Sequence, residues 1–160
     1  MGSNKEYLIV RPAKLYDVSG DDKVLSGLIN DLNSGRQLTM AIDQIFSPTY
    51  VREACKAIEL LIDKKITGCY NVCSSEAISR YEFAKMVKEE LGIKKGNIAP
   101  CSIKELEFGD NRPLNISMSN KKFTELTDFK FMTFREMLGK IKKRTHERSC
   151  NKQVNPIRGL

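Results

Sequence analysis

The sequence has no apolar run near the roughly 18–20 residues that cross a bilayer, which excludes an integral membrane helix. It has no secretory opening either. Met1 to Lys5 is polar, and the apolar stretch behind it is short. The expected compartment is therefore the cytoplasm. Histidine is nearly missing, with His146 the one instance. The five cysteines (Cys55, Cys69, Cys73, Cys101 and Cys150) are odd in number, and no two are spaced as CxxC. That pattern, without an export signal, points to reduced thiols rather than a disulfide framework. A zinc centre from Cys69, Cys73 and His146 would have the wrong spacing and too few ligands, so no metal site is expected. No self-similarity recurs at a period of roughly 20–50 residues, which excludes a repeat array.

What is present reads as one ordinary globular chain. Its 160 residues are 41% hydrophobic and 29% charged, which argues against global disorder and against fibrous structure. The formal charge of +7 is concentrated at one end. Residues 121–160 hold 11 Lys/Arg and 4 Asp/Glu, leaving 16 of each sign in residues 1–120. A nucleic-acid module carries its charge on a folded face with interleaved aromatics, so a solvated basic helix and tail is the favoured reading.

Strand and helix patterns alternate along the chain. Tyr7 to Val10 is a continuous apolar run, the mark of a strand covered on both faces. A loop over Asp17–Asp22 precedes helical spacing at Val24, Leu25, Leu28, Ile29 and Leu32, which Asn33-Ser34-Gly35 closes. Gln37 to Ile42 predicts a strand that Ser47-Pro48 prevents from continuing. Val51, Ala54, Cys55, Ile58, Leu61 and Ile62 form an apolar helical stripe. Cys69–Val72 and Asn97–Cys101 read as further strands. Ser79-x-x-Glu82, Ser102-x-x-Glu105 and Thr133-x-x-Glu136 are capping boxes, and Ser119 is expected to cap a short helix through Leu126. Residues 1–143 are expected to be folded. Residues 144–160 turn polar without periodicity and are expected to be a basic, disordered tail.

The run Asp43-Gln44-Ile45-Phe46-Ser47-Pro48-Thr49-Tyr50-Val51-Arg52 resembles the "DQ…SPTY" segment of dTDP-4-dehydrorhamnose reductases. These are NAD(P)-dependent sugar-nucleotide enzymes of the extended short-chain dehydrogenase/reductase superfamily. Other pieces agree in order. Leu8-Ile9-Val10-Arg11 is similar to a late core strand ending in arginine, and Gly68-Cys69-Tyr70-Asn71-Val72 to the "GIYHL" strand. Ser79-Arg80-Tyr81-Glu82-Phe83-Ala84 resembles the "SWYEFA" helix start, and Arg112-Pro113 with Asn115 and Ser117 the "RRP.NS" loop. The resemblance covers roughly residues 5–143. It implies an α/β fold: a partial, Rossmann-like piece with late strands only, plus a small sugar-nucleotide-binding domain.

Two features of that family have no counterpart. None of the ten glycines forms GxGxxG or GxxGxxG, the turn that cradles a dinucleotide pyrophosphate. The catalytic tyrosine–lysine helix that precedes the strand at Tyr7 is absent too. Tyr81-Glu82-Phe83-Ala84-Lys85 formally satisfies YxxxK, but it aligns with a substrate-domain helix where the tyrosine packs. No residue is therefore assigned a catalytic role. The resemblance implies the C-terminal, substrate-binding half of such a reductase, inactive alone and binding no dinucleotide by itself. The expected partners are a nucleotide-sugar, a dTDP-sugar first, and a chain supplying the missing Rossmann half. A non-catalytic regulatory or interaction module derived from the same fold is the alternative.

Five residues are candidates for substrate. Arg112 carries the planar guanidinium suited to a diphosphate, although Arg-Pro reads equally as a surface turn. Gln44, Ser47, Pro48 and Thr49 are polar or rigid enough to wall a sugar pocket, while Thr49 reads equally as a cap for the helix near Val51. Arg11 and Pro12 follow a strand whose C-terminal end faces the cofactor crevice in a doubly wound sheet.

Overall fold

A computed structural model describes residues 6–17, 22, 24–106 and 112–153, the last part (144–153) as backbone only. Strand β1 (Leu8–Pro12) and the short β2 (Leu15–Tyr16) lead to helix α1 (Leu25–Asn33) and strand β3 (Gln37–Ala41). Short strands β4 (Ile45–Phe46) and β5 (Thr49–Tyr50) run into helix α2 (Val51–Asp63). Strands β6 (Gly68–Val72) and β7 (Ile78–Ser79) precede helix α3 (Arg80–Glu90) and strand β8 (Asn97–Cys101). A 3-10 turn at Ile103–Glu105, strand β9 (Asn115–Ile116), helix α4 (Lys121–Thr127) and helix α5 (Phe134–Gln153) complete the order.

The pairing is mostly parallel, as alternating strands and helices require. β1 pairs with β6 from Leu8↔Gly68 to Pro12↔Val72, and β3 pairs with β8 from Gln37↔Asn97 to Ala41↔Cys101. β2 and β5 form a two-residue parallel pair. β4 lies between antiparallel β7 and parallel β9.

Two apolar clusters divide the chain. Ala54, Ala57 and Leu61 of α2 pack with Tyr70 and Val72 of β6 and Phe123 of α4, backed by Leu8 and Val10. This is the Rossmann-like piece. The second cluster joins Leu25, Leu28 and Leu32 of α1 to Phe83, Ala84 and Val87 of α3 and to Phe134, Met137 and Leu138 of α5. Its centre is aromatic: Phe83 and Phe134 stack at 4.3 Å, with Tyr16 edge-on to Phe134 at 5.4 Å.

Local chemistry explains the helix starts. The Asp22 carboxylate accepts from Val24 and Leu25 backbone N–H groups at 3.0 and 2.7 Å. The Ser79–Glu82, Ser102–Glu105 and Thr133–Glu136 boxes are all formed. At α4 the flanking residue is Asn120, whose amide donates to the Cys73 carbonyl at 2.7 Å, while the Ser119 hydroxyl accepts from Lys121 N–H at 3.4 Å.

Three expectations are corrected. The Tyr7–Val10 run predicts a doubly covered strand, yet Ile9 is 47% exposed, because α2 and its aromatic neighbours cover only the Leu8–Val10 face. The tail predicted from residue 144 is instead helical backbone continuing to Gln153, while residues 154–160 lie outside the described set, as do most of the Asp17–Asp22 loop and Asn111. Thr49 does not cap α2: Tyr50 flanks that helix without a side-chain bond, and Thr49 belongs to β5.

Candidate functional site

The three-stranded patch β7–β4–β9 brings the site together by register alone. Ile45 of β4 pairs with Ser79 and with Asn115. The residue before β4 is Gln44, the residue after antiparallel β7 is Arg80, and the residues leading into parallel β9 are Arg112, Pro113 and Leu114. These ends must therefore meet. Ile45 N–H donates to the Leu114 carbonyl at 2.7 Å, and Arg80 N–H to the Gln44 carbonyl at 3.2 Å.

The Gln44 side chain ties the three ends into one unit. It is 2% exposed. Its amide nitrogen donates to the Pro113 carbonyl at 3.2 Å, and its amide oxygen accepts from Arg80 Nε. The Arg80 guanidinium lies 5.5 Å from the centre of the Phe46 ring, a cation–π distance. Burial, and then the charge of Arg112, pull the Arg80 pKa below the ordinary guanidinium value. Arg112 itself is exposed. Among the described residues no carboxylate forms an ion pair with Arg80. Arg80 also lines a cavity of about 280 Å³ with Lys14, Asp31 and Phe46, and Asp31 is engaged by Arg36 at 2.8 Å. Chemically, this is a partly desolvated cationic edge beside an apolar wall.

Ser47, Pro48 and Thr49 are buried behind that edge. The Thr49 hydroxyl donates to the Ser47 carbonyl at 3.2 Å and accepts from Ser74 N–H at 3.0 Å. The Ser47 hydroxyl accepts from Met118 N–H at 3.4 Å. The segment thus pins the turn after β6 and the strand exit after β9 to the junction between the two cores. Of the residues expected at substrate, Gln44 and the Arg112–Pro113 loop are brought into contact, with Ser47, Pro48 and Thr49 directly behind them.

Sequence reasoning missed Arg80 and Lys14. Arg80 sits inside a capping box, which reads as a local helix signal. Its spatial partner Gln44 is 36 residues away, and the one available clue was an arginine where the resembling motif has an aromatic residue.

Elsewhere the geometry is plainer. Tyr81 and Lys85 line a separate cavity of about 420 Å³, and Lys85 faces Glu89 at 3.8 Å. Arg11 and Pro12 lie exposed at the C-terminal end of β1, opposite Asn71 and Val72. Among the described residues, the glycines at positive φ (Gly35, Gly68, Gly92 and Gly96) follow helices or precede strands, and none of these four opens a helix after a strand, where a phosphate cradle belongs. Cys55, Cys69, Cys73 and Cys101 are free thiols, and burial pushes the Cys73 thiol up to about 11.

Residues 1–146 match the family model described as RmlD substrate binding domain. Over 111 residues the sequence is 30% identical to the spore coat polysaccharide biosynthesis protein SpsK of Bacillus subtilis, covering 69% of this chain and 38% of that protein. The fold superposes on dTDP-4-dehydrorhamnose reductase of Bacillus anthracis, solved with NADP. The TM-score is 0.74 and the identity 28%, over 85% of this chain and 48% of that one. A dTDP-4-dehydrorhamnose reductase of Clostridium acetobutylicum gives a TM-score of 0.74 at 26% identity, over 88% and 49%. The chain therefore spans about half the length, or less, of the relatives it matches.

Proposed function

Because the chain belongs to the RmlD substrate binding domain family, we propose that it recognises a nucleotide-sugar, and first of all a dTDP-sugar, for a reductase of dTDP-rhamnose synthesis. Arg112 supplies positive charge to the diphosphate. Gln44, Ser47, Pro48 and Thr49 form the rigid wall against which the ligand rests. The observation that carries this reading is the Gln44–Pro113 hydrogen bond at 3.2 Å, which holds the Asp43–Arg52 segment against the arginine loop. Had those segments lain apart, no shared pocket would exist.

The 160 residues alone reduce nothing in this reading, since they contain neither a pyrophosphate-cradling turn nor a tyrosine–lysine pair assigned to proton transfer. In this reading NADP, as present in the Bacillus anthracis structure, is held chiefly by another half. Arg11 and Pro12 are the residues of this chain that face it. The exposed Ile9 and the unpaired outer edge of β1 among the described residues suit a partner that extends the parallel sheet.

A thermal-shift and calorimetric titration tests the proposal. A ligand that binds only the folded chain at a hundredfold excess over its Kd stabilises it by about 2.7 kcal/mol. dTDP-rhamnose is expected to raise the melting temperature, and Arg112→Ala to abolish most of that rise. No shift with any dTDP-sugar at millimolar concentration overturns the assignment. Turnover of a 4-keto sugar with NADPH by the purified chain overturns the claim that it is inactive alone.

A further inference from the structure

At the end of α3 opposite Arg80, about 16 Å along the helix axis, the chain turns sharply. Gly92 N–H donates to the Glu89 carbonyl at 3.1 Å and Ile93 N–H to the Lys88 carbonyl at 3.0 Å, with Gly92 at φ +67°. This paired closure, with glycine in the left-handed region, fixes the exit of the chain and the position of Ile93. Two hollows flank the turn. One, of about 600 Å³, is floored by Ile29 of α1, by Leu91 and Ile93, and by Ile141 of α5. The other, of about 420 Å³, runs along α3 from Tyr81 and shares Gly92, Ile93 and Lys94 with the first.

The rim of these hollows is basic. Lys94, Lys95 and Lys142 border the first, and Lys85 and Lys88 the second. Among the described lining residues the one carboxylate is Glu89, which faces Lys85 at 3.8 Å. The next acidic residue, Glu90, is engaged by Arg135 at 2.6 Å, and Lys88 donates to the Gly96 carbonyl at 2.6 Å. Lys94, Lys95 and Lys142 are exposed, and none forms an ion pair with a described residue. The larger hollow therefore joins an apolar floor to three uncommitted ammonium groups. One of them, Lys142, belongs to the basic excess of residues 121–160, for which the nucleotide-sugar reading has no use.

We propose that the larger hollow is a docking surface for a short acidic segment of a partner protein, anchored by one large apolar side chain. Charge complementarity selects the class. Acidic side chains answer the three lysines, while the anchor covers Ile29, Leu91, Ile93 and Ile141. A bilayer fits less well, because these apolar side chains are half-buried in a recess and an interfacial surface presents them outward. A nucleic acid would answer the lysines and leave the floor unused, since no aromatic ring among the described residues lines this hollow for a base to stack on. A small polar ligand would find long lysine stems rather than the few rigid, convergent polar groups that orient one. The length of α3 separates this surface from the arginine edge, so the two can be occupied together.

Fluorescence anisotropy on the full chain tests this, with a short fluorescein-labelled peptide of Asp and Glu around one central Phe as the probe. The expected Kd is about 100 μM, in the range of a small, transient interface. Raising ionic strength from about 0.01 to about 0.15 M shortens the Debye length from about 30 to about 8 Å and should weaken binding severalfold. Joint Lys94→Glu, Lys95→Glu and Lys142→Glu substitution should weaken it about tenfold or more, the combined scale of three exposed ion pairs. Circular dichroism confirms that this variant, altered only at exposed positions, keeps its fold. Lys130→Glu, between Phe129 and Phe131 of the Rossmann-like core, should change the affinity by less than about twofold. Replacing the probe's Phe with Ala should weaken binding about fivefold or more, through the lost apolar burial. No binding at about 1 mM peptide overturns the proposal. Equal binding of the Ala peptide also overturns it, because the rim is then diffuse charge without an anchor site, and so does an equal loss from Lys130→Glu. Phosphatidylserine vesicles that bind the chain and displace the peptide would assign the rim to a membrane instead.

Discussion

Replacing Thr49 with valine separates scaffold from ligand contact at the centre of the site. Valine keeps the shape and removes the hydroxyl, which is fully buried, accepts from Ser74 N–H at 3.0 Å and donates to the Ser47 carbonyl at 3.2 Å. The Ser74 N–H is left buried without a partner, at a cost of about 1–3 kcal/mol. The Ser47 carbonyl loses one bond and adds roughly 0.5 kcal/mol. The expected total is about 1.5–3.5 kcal/mol. Thr49→Ser keeps the hydroxyl and removes one methyl, at about 1 kcal/mol. With a urea m-value near 2 kcal/mol/M, Thr49→Val should lower the unfolding midpoint by about 1 M and Thr49→Ser by about half of that. A Thr49→Val midpoint within about 0.2 M of the unaltered chain refutes the scaffold argument, on the same m-value scale. Normal stability with lost dTDP-sugar binding would place the hydroxyl on the ligand instead.

Two other perturbations probe the frame around the site. Phe134→Ala removes a 1%-exposed ring that stacks on Phe83 and meets Tyr16. It should cost about 3–5 kcal/mol, a large part of a domain's usual 5–15, and a loss below about 1 kcal/mol in urea unfolding would show that α5 does not seal the second core. Asp43 accepts from the Ser102 hydroxyl at 2.6 Å and from Ile103 N–H at 2.7 Å, which hold its pKa below the usual carboxylate value. Its stabilising contribution is therefore fully present above the unfolded-chain pKa of about 3.9 and is lost as pH falls through the lower folded value. Asp43→Asn should flatten stability against pH in that acid range, and parallel curves for the two proteins would contradict the assignment.

The long elements were legible because each carries its own period. α2 was legible from its apolar stripe, of which Ala54 and Leu61 are buried while Cys55 and Ile62 turn out exposed, and α3 announces itself through Ser79 and Glu82. β3 and β8 are five-residue strands that their own composition supports. The short strands were not legible. Ile45–Phe46, Ile78–Ser79 and Asn115–Ile116 are two residues long, too short for alternation to register, and partners far along the chain determine them. α5 ran past its expected end for a related reason. The sequence after Lys143 carries no apolar periodicity, so the pattern stops before the helical backbone does.

The same distinction explains what was visible of the site. Ser47-Pro48-Thr49 and Arg112-Pro113 stood out as motifs, but a motif does not say whether a polar atom faces a ligand or a neighbour. That depends on pairing across β7–β4–β9, where a single register joins Gln44, Arg80 and Pro113. Slipping β4 against β7 by one residue would turn Phe46 to the opposite face and leave Arg80 with neither its ring nor its amide. The arginine edge and the aromatic core beneath it are therefore set by one pairing choice. Phe46 makes the link physical: one side of it receives the Arg80 guanidinium, and its ring meets Phe83 at 5.3 Å. A change that loosens the second core should reach the arginine edge through that ring before it reaches the Ser47–Thr49 wall, which is anchored separately to Ser74 and Met118.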